Sequence, residues 1–264
     1  MPGTTRLLEV DPDLGQDLTP EQFAVARRDL LVEELRVPSG RWDSEKAYQA
    51  TGADVGLLLL EGVLIRDLEV GSKSSLEVLG PGDLLRQWPR DRHPPEIDVT
   101  RRFTAVDPLR FAVLDARFVT VAARWPKVLG QLTDRAMGRA SSASLRLIVH
   151  QYVRVEDRIL LSLWGLAERF GRVTPEGVLV PLPLNNTMMA RLVGAQRPSV
   201  STAVGQLERR GLISRPRQGW MLHGEFPIHL VRDRDGHDRT AASDRSTAPT
   251  AGVEGRLMGR PPDA

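Results

Sequence analysis

The sequence contains no cysteine. That excludes disulfides, thiolate-held iron–sulfur clusters, cysteine-containing zinc sites and cysteine nucleophiles. Lysine is almost missing as well: Lys46, Lys73 and Lys127 are the only three, so arginine carries nearly all the positive charge. Guanidinium forks suit phosphate and guanine recognition, although a GC-rich coding bias accounts for arginine, alanine, glycine and proline usage equally well. No apolar run approaches the length of a membrane span; the longest, around Val55–Leu60, is strand-sized. Met1–Val10 carries no apolar signal core, so a cytoplasmic location away from membranes is expected. Nucleophile elbows, phosphate loops and metal-ligand spacings are not found either, which argues against an enzyme.

What remains is a chain of 264 residues, 41% hydrophobic and 27% charged, with a formal net charge of +2. Two domains fit that length. Residues 1–20 are acidic and turn-rich, with Asp11-Pro12-Asp13, and are expected to be a flexible leader. Thr19-Pro20-Glu21-Gln22 has the signature of a helix start. Through residues 21–115, short apolar runs (Leu35–Val37, Gly56–Leu60, Val63–Leu68, Leu76–Leu79, Ile97–Arg102, Phe111–Leu114) alternate with turn residues. That texture predicts an antiparallel β sandwich or barrel.

Residues 116–154 lose the strand pattern. Arg117–Trp125 predicts a short helix, and Pro126 opens a long one. Along it Leu129, Leu132, Ala136, Ala140, Ala143, Leu147 and His150 recur at spacings of three and four, a thin stripe of small residues. Such a stripe suits the same helix of a second subunit, and the first six are the expected dimer interface; a helix lying on the β-domain is the alternative. Residues 155–224 are compact and mixed, and 225–264 are polar enough for a disordered tail.

The informative segment is Leu182–Ile213. A helix from about Asn186 to Val193 buries Met189, Ala190 and Leu192; Gly194 supplies a turn; Pro198 opens a second helix that buries Val200, Ala203, Val204 and Leu207. The opposite face of the second helix offers Arg197, Ser201, Thr202 and Gly205. Arginine at a helix tip bonds guanine bidentately in the major groove. Gln196, Ser199, Asn186 and Thr187 stand at the helix starts, where phosphates are held. Between Arg191 and Arg217 six arginines face Glu208 alone. Ser214–Leu222 predicts a hairpin, or wing, with Arg217 and Gln218 at its tip as backbone contacts. Double-stranded DNA is the partner this pattern points to.

Here the chain resembles the Crp/Fnr family, named after the cyclic-AMP receptor protein and the fumarate–nitrate regulator. The likeness is carried by Ala190, Gly194, Arg197-Pro198-Ser199-Val200-Ser201, Leu207-Glu208 and Gly211-Leu212-Ile213. It extends more weakly through Val37-Pro38-Ser39-Gly40, Leu57–Val63 and Gly80-Pro81-Gly82-Asp83. The resemblance implies an α+β fold: an N-terminal antiparallel β-roll, a long dimerisation helix and a C-terminal winged helix-turn-helix. It implies a homodimeric transcription regulator, not an enzyme, with DNA, a second copy and RNA polymerase as partners. After the Gly80–Asp83 turn the family's cassette offers Gly-Glu to a ribose and Arg-Ser/Thr to a cyclic phosphate. This chain has Arg86-Gln87, then Val99-Thr100 with Arg101-Arg102 displaced, and Pro89, Pro94 and Pro95 between. Control by ordinary cyclic AMP is therefore not expected. No cofactor or metal is expected: a lone His93 in a proline-rich loop reads as a solvated residue rather than a haem ligand. A small-molecule effector stays unidentified, and a sensing or scaffold protein whose winged helix binds protein is the alternative function.

Overall fold

The structure, a computed structural model, describes residues 3–86 and 97–232. The chain divides into two compact units, Met1–Phe226 and Pro227–Ala264. Of the second unit 227–232 are described, including a short helix at Ile228–Val231. The tail expected at 225–264 is thus helical at its beginning, and its remainder, from 233 on, lies outside the described residues, as do Gln87, Pro89, His93, Pro94 and Pro95.

The first unit runs β1 (Thr4–Arg6), α1 (Leu7–Val10), a 3-10 turn (Pro12–Gly15), α2 (Pro20–Asp29), β2 (Leu31–Val37), β3 (Gly40–Trp42), α3 (Ser44–Thr51), β4 (Gly56–Glu61), β5 (Leu64–Val70), β6 (Lys73–Leu79), β7 (Leu84–Leu85), β8 (Thr100–Ala105) and β9 (Leu109–Leu114). Helices α4 (Ala116–Ala122) and α5 (Pro126–Val149) follow. Then come α6 (Val155–Phe170), β10 (Arg172–Thr174), β11 (Gly177–Val180), α7 (Asn186–Val193), α8 (Arg197–Arg209), β12 (Ile213–Ser214) and β13 (Trp220–Leu222).

Two antiparallel sheets make the N-terminal part, in the orders β1-β2-β9-β4-β7 and β3-β8-β5-β6. Strand β4 explains its own composition. Leu57 and Leu59 enter the core between the sheets with Leu64, Leu79, Phe111 and Val113. Leu58 and Leu60 point the other way, under Leu114, Phe118, Val128 and Leu132. A strand buried on both faces reads as a continuous apolar run rather than an alternating one. A register shift opposite β9 between Leu59 and Glu61 ends the run.

The expected flexible leader is not one. Strand β1 pairs with β2 through Thr4–Glu33 and Arg6–Leu31. Leu7, Leu8 and Leu14 are fully buried in the same core as Phe118 and Val128. Asp11 then accepts from Arg135 of α5, with Nη2–Oδ1 at 2.8 Å. Three leucines among acids and turn residues are too few for a periodic signal, yet they cover the outer face of β4 and β9. The helix start at Thr19 is as expected: its hydroxyl accepts from Gln22 N at 3.3 Å and Gln22 Oε1 accepts from Thr19 N at 3.1 Å, a closed capping box.

Leu14→Ala should cost about 2–5 kcal/mol in urea unfolding, the range for emptying a packed leucine site; a loose leader would give no measurable change.

Candidate DNA interface

The C-terminal part of the first unit is a sheet in the order β10-β11-β13-β12 packed with α6, α7 and α8. Helix α7 starts where Asn185 Oδ1 accepts from the backbone N–H groups of Thr187 and Met188, both at 3.0 Å. It ends at Gly194, whose φ of +62° is left-handed. Helix α8 begins with Pro198 in its first turn. Val200, Ala203, Val204 and Leu207 are buried, while Arg197, Ser199, Ser201 and Thr202 are exposed. The buried stripe fixes how the helix is rotated, and the rotation leaves a small, polar face tipped by a guanidinium.

The other residues expected at the interface divide. Gln196, the residue before α8, Thr187, and Arg217 and Gln218 of the wing are exposed. Asn186 is half-buried and is spent inside the fold: Nδ2 donates to Ser201 Oγ at 2.8 Å, and Oδ1 accepts from Arg215. Arg215 in turn lies over the Trp220 ring, 4.0 Å from its centroid. Asn186 therefore braces the first helix, the second helix and the wing against each other, a role that its place at a helix start does not reveal. The wing is anchored from beneath, since Trp220 Nε1 donates to Leu184 O at 3.1 Å. At Gly219, with φ of +135°, a Cβ would stand 2.1 Å from Val180 O, so only glycine fits.

Sequence reasoning missed the supports behind this surface. Arg158 of α6 donates Nε to Tyr152 O at 2.7 Å and Nη1 to Gly194 O at 3.2 Å. His150 Nε2 bonds Leu192 O at 3.0 Å. Both join the end of α5 to the end of α7. In the sequence His150 reads as part of the dimer stripe, and a histidine bonded to a carbonyl 42 residues away leaves no local pattern. Arg191 Nη1 meets Asp67 Oδ1 at 3.1 Å, and Arg169 Nη2 meets Asp83 Oδ2 at 2.7 Å, so two ion pairs tie the helical part to β5 and to the β6–β7 turn.

The long helix α5 also differs from expectation. Leu132 is buried in the core of its own β-domain, beside Val128 and Leu14, and has no surface left for a seam with a second chain, whereas Leu129 is half-buried at the edge of that core. Ala136, Ala140 and Leu147 are exposed and Ala143 is half-buried. The strongly exposed apolar side chains are Met137 (62%), Leu145 (62%), Leu147 (66%) and Ile148 (55%). Met137, Ser141, Ser144 and Ile148 lie along one line by the 3.6-residue period. The open face thus keeps Ala136, Ala140 and Leu147 of the expected stripe and adds Met137, Ser141, Ser144 and Ile148, while Arg135, Arg139 and Arg146 turn inward.

Those arginines meet carboxylates. Glu77 of β6, 7% exposed, receives Arg66 of β5 at Oε2, Arg139 Nη2 at 3.2 Å and Arg146 Nη2 at 3.1 Å. Arg139 Nη1 also donates to Leu84 O at 2.8 Å. Burial opposes the charge on Glu77, but Arg66, Arg139 and Arg146 outweigh it and pull its pKa down to about 2. Displaced from the cassette expected to hold a phosphate, Arg102 instead pairs with Glu69 at 2.5 Å on the sheet surface.

A family model described as the Crp-like helix-turn-helix domain matches residues 157–223. The chain carries a Crp-like helix-turn-helix domain. The match covers α6, the four-stranded sheet and both helices of the motif, and stops at the end of the wing. Solved structures repeat the arrangement of most of the described chain. A cyclic nucleotide-binding domain containing protein from Listeria monocytogenes EGD-e is 16% identical, with a TM-score of 0.56 over 81% of this chain and 97% of that one. FixK2 from Bradyrhizobium japonicum is 13% identical, with a TM-score of 0.54 over 76% and 98%. TTHB099, a CRP-family transcriptional regulator from Thermus thermophilus, is 17% identical, with a TM-score of 0.50 over 72% and 92%. No curated protein matches the chain. The fold is therefore of Crp/Fnr type, with the Crp-like domain following the long helix. Among the described residues, no helix is long and apolar enough to cross a membrane.

A folded-state pKa below the unfolded value makes ionised Glu77 a stabilising group above about 4.5, and this stability fades as pH falls from 4.5 towards 2. Urea unfolding measured across that window should show the loss in the native protein. In Glu77→Gln the slope over the same window should be shallower, and equal slopes would remove Glu77 as its source.

Proposed function

We propose that the protein is a homodimeric, sequence-specific DNA-binding transcription regulator that does not require cyclic AMP. The observation that carries the DNA reading is the orientation of α8. Its apolar side is consumed by the core, and its exposed side joins Arg197, Ser199, Ser201 and Thr202 to an exposed wing with Arg217 and Gln218. A guanidinium at the helix tip reads guanine O6 and N7, and the hydroxyls and helix-start N–H groups hold phosphates. Support comes from the Crp-like domain match and from a solved neighbour described as a transcriptional regulator. RNA polymerase and the cytoplasm, the usual partner and place of such regulators, belong to the same proposal.

Dimerisation is assigned to α5. At 24 residues it spans about 36 Å, and its outer face exposes Met137, Leu147 and Ile148 among Gly130, Ala140, Ser141 and Ser144. Small residues let two helices approach closely, and large apolar ones left in water favour a partner. Two copies related by a two-fold axis present two recognition helices to half-sites about one turn of DNA apart. Independence from cyclic AMP is supported by the pairing of Glu69 with Arg102 and by Arg86 standing where the cassette has glycine.

A salt-dependent gel shift on selected operator DNA tests the reading. Affinity should fall steeply as salt rises, and Arg197→Ala should cost about 1–3 kcal/mol on the preferred site while relaxing one base position. No salt-sensitive binding would return the winged helix to protein contacts. Separately, Met137→Asp and Ile148→Asp should shift light scattering from dimer to monomer and weaken operator binding at least tenfold, since linked half-sites no longer act together; Leu132→Asp should instead unfold the β-domain, whose core it enters.

A further inference from the structure

Three guanidinium groups converge on one carboxylate where α5 crosses the β-domain. Arg66 comes from β5, Arg139 and Arg146 are two turns apart on α5, and Glu77 stands on β6 between them. Both oxygens of Glu77 are engaged: Oε2 by Arg66 and Arg139, Oε1 by Arg146. The guanidiniums of Arg66 and Arg139 are themselves mostly buried, with 18% and 16% of their side chains exposed. Among these four groups, three positive charges face one negative in a partly desolvated place. Like charges held so close repel, and the arrangement stands only because an anion sits at its centre.

Tyr48 of α3 is a further buried polar residue of the β-domain. It is 9% exposed, and its hydroxyl makes no hydrogen bond among the described residues. Burial pushes its pKa up, while the charges of Arg139 and Arg66 pull against that.

We propose that Arg66, Arg139 and Arg146 form an anion receptor whose ligand is the chain's own Glu77 carboxylate, so that α5 is held on the β-domain without a diffusible effector at this point. Glu77 spans the gap between a strand and a helix that a bound anion would otherwise have to bridge. It is supplied covalently, at an effective concentration no free anion matches. Arg139 extends the grip by donating to the Leu84 carbonyl, which fixes the strand after the Gly80–Asp83 turn to the same helix. The helix so held continues to His150, which bonds the end of α7. The occupied receptor thus stands in the load path from the β-domain to the recognition surface. The DNA consequence rests on the function proposed above; the receptor itself does not.

The test removes the internal ligand and offers an external one. In Glu77→Ala, the melting temperature should fall, and inorganic phosphate should restore it saturably, more than chloride at equal ionic strength. Acetate should restore it less, because phosphate offers the three arginines a further oxygen and more charge. Calorimetry should detect phosphate binding to Glu77→Ala and none at this point in the native chain, and Arg139→Ala in the same background should abolish it. Operator affinity should drop about tenfold in Glu77→Ala and recover in part with phosphate, after correction for the native chain's own response. Unchanged melting on removing Glu77, or a loss that phosphate repairs no better than chloride, overturns the proposal. Glu77→Gln, which keeps the shape and loses the charge, is run alongside; if both variants stay unfolded even with phosphate present, the receptor is also overturned. Failure of the native chain to bind operator counts against the DNA reading only, since melting and calorimetry use no DNA.

Discussion

One carboxylate has to satisfy three arginines. Glu77 is the point at which β5, β6 and α5 are electrostatically joined, and the rotation of α5 follows from it. With Arg139 and Arg146 drawn inward, the opposite side of the helix must face outward, and that side carries Met137, Ser141, Ser144 and Ile148. The same rotation places Leu132 and Val128 over the outer face of β4 and β9. A single buried ion cluster is poor evidence of large net stability, because desolvation takes back much of the Coulombic gain. Its contribution is geometric: it selects one rotation of a long helix that small residues alone would leave degenerate.

From that helix polar bonds run to the helical part, beside the packing of Phe170 on the Gly80 turn. Arg158 and His150 grip backbone carbonyls at the end of α7, and Arg191–Asp67 and Arg169–Asp83 tie the helical part to the sheet. Within the Crp-like domain packing takes over. Val200, Ala203, Val204 and Leu207 set α8, Trp220 anchors the wing, and Asn186 links the two. Hydrogen bonds and ion pairs at a junction have narrow distance requirements, so they specify an angle; close-packed apolar contacts inside a domain hold each helix in its place and resist opening.

How much of this is legible in the sequence depends on the range of the interaction. Thr19-Pro20-Glu21-Gln22 announces a helix start because the cap and its partner are three residues apart. Gly194 and Pro198 announce the turn and the second helix because each acts on its own backbone. The strand positions of β4, β5, β6 and β9 show through their turns, whereas β3 and α3 do not. Leu7, Leu8 and Leu14 are hidden among acids and prolines, and only the complementary surface of β4 gives them a place. On α5, spacings of three and four fit more than one face, since alanine, serine and glycine weigh little; the choice lies in arginines whose partners are 62 to 124 residues away. Asn186 reads as a phosphate ligand because its neighbours in the chain do, but its own neighbours in space are Ser201 and Arg215.

The recognition surface has one further property. From Asn186 to Gln218 every positive charge is an arginine, the only acid is Glu208, and histidine and lysine are missing. Guanidinium groups keep their protons throughout the pH range in which proteins stay folded. The electrostatic hold on a polyanion is therefore buffered against acidity: a change in the surrounding pH leaves the attraction as it was. Any acid sensitivity has to enter elsewhere, through the carboxylates and histidines that hold the scaffold, and reaches this face as a change of shape rather than of its own charge.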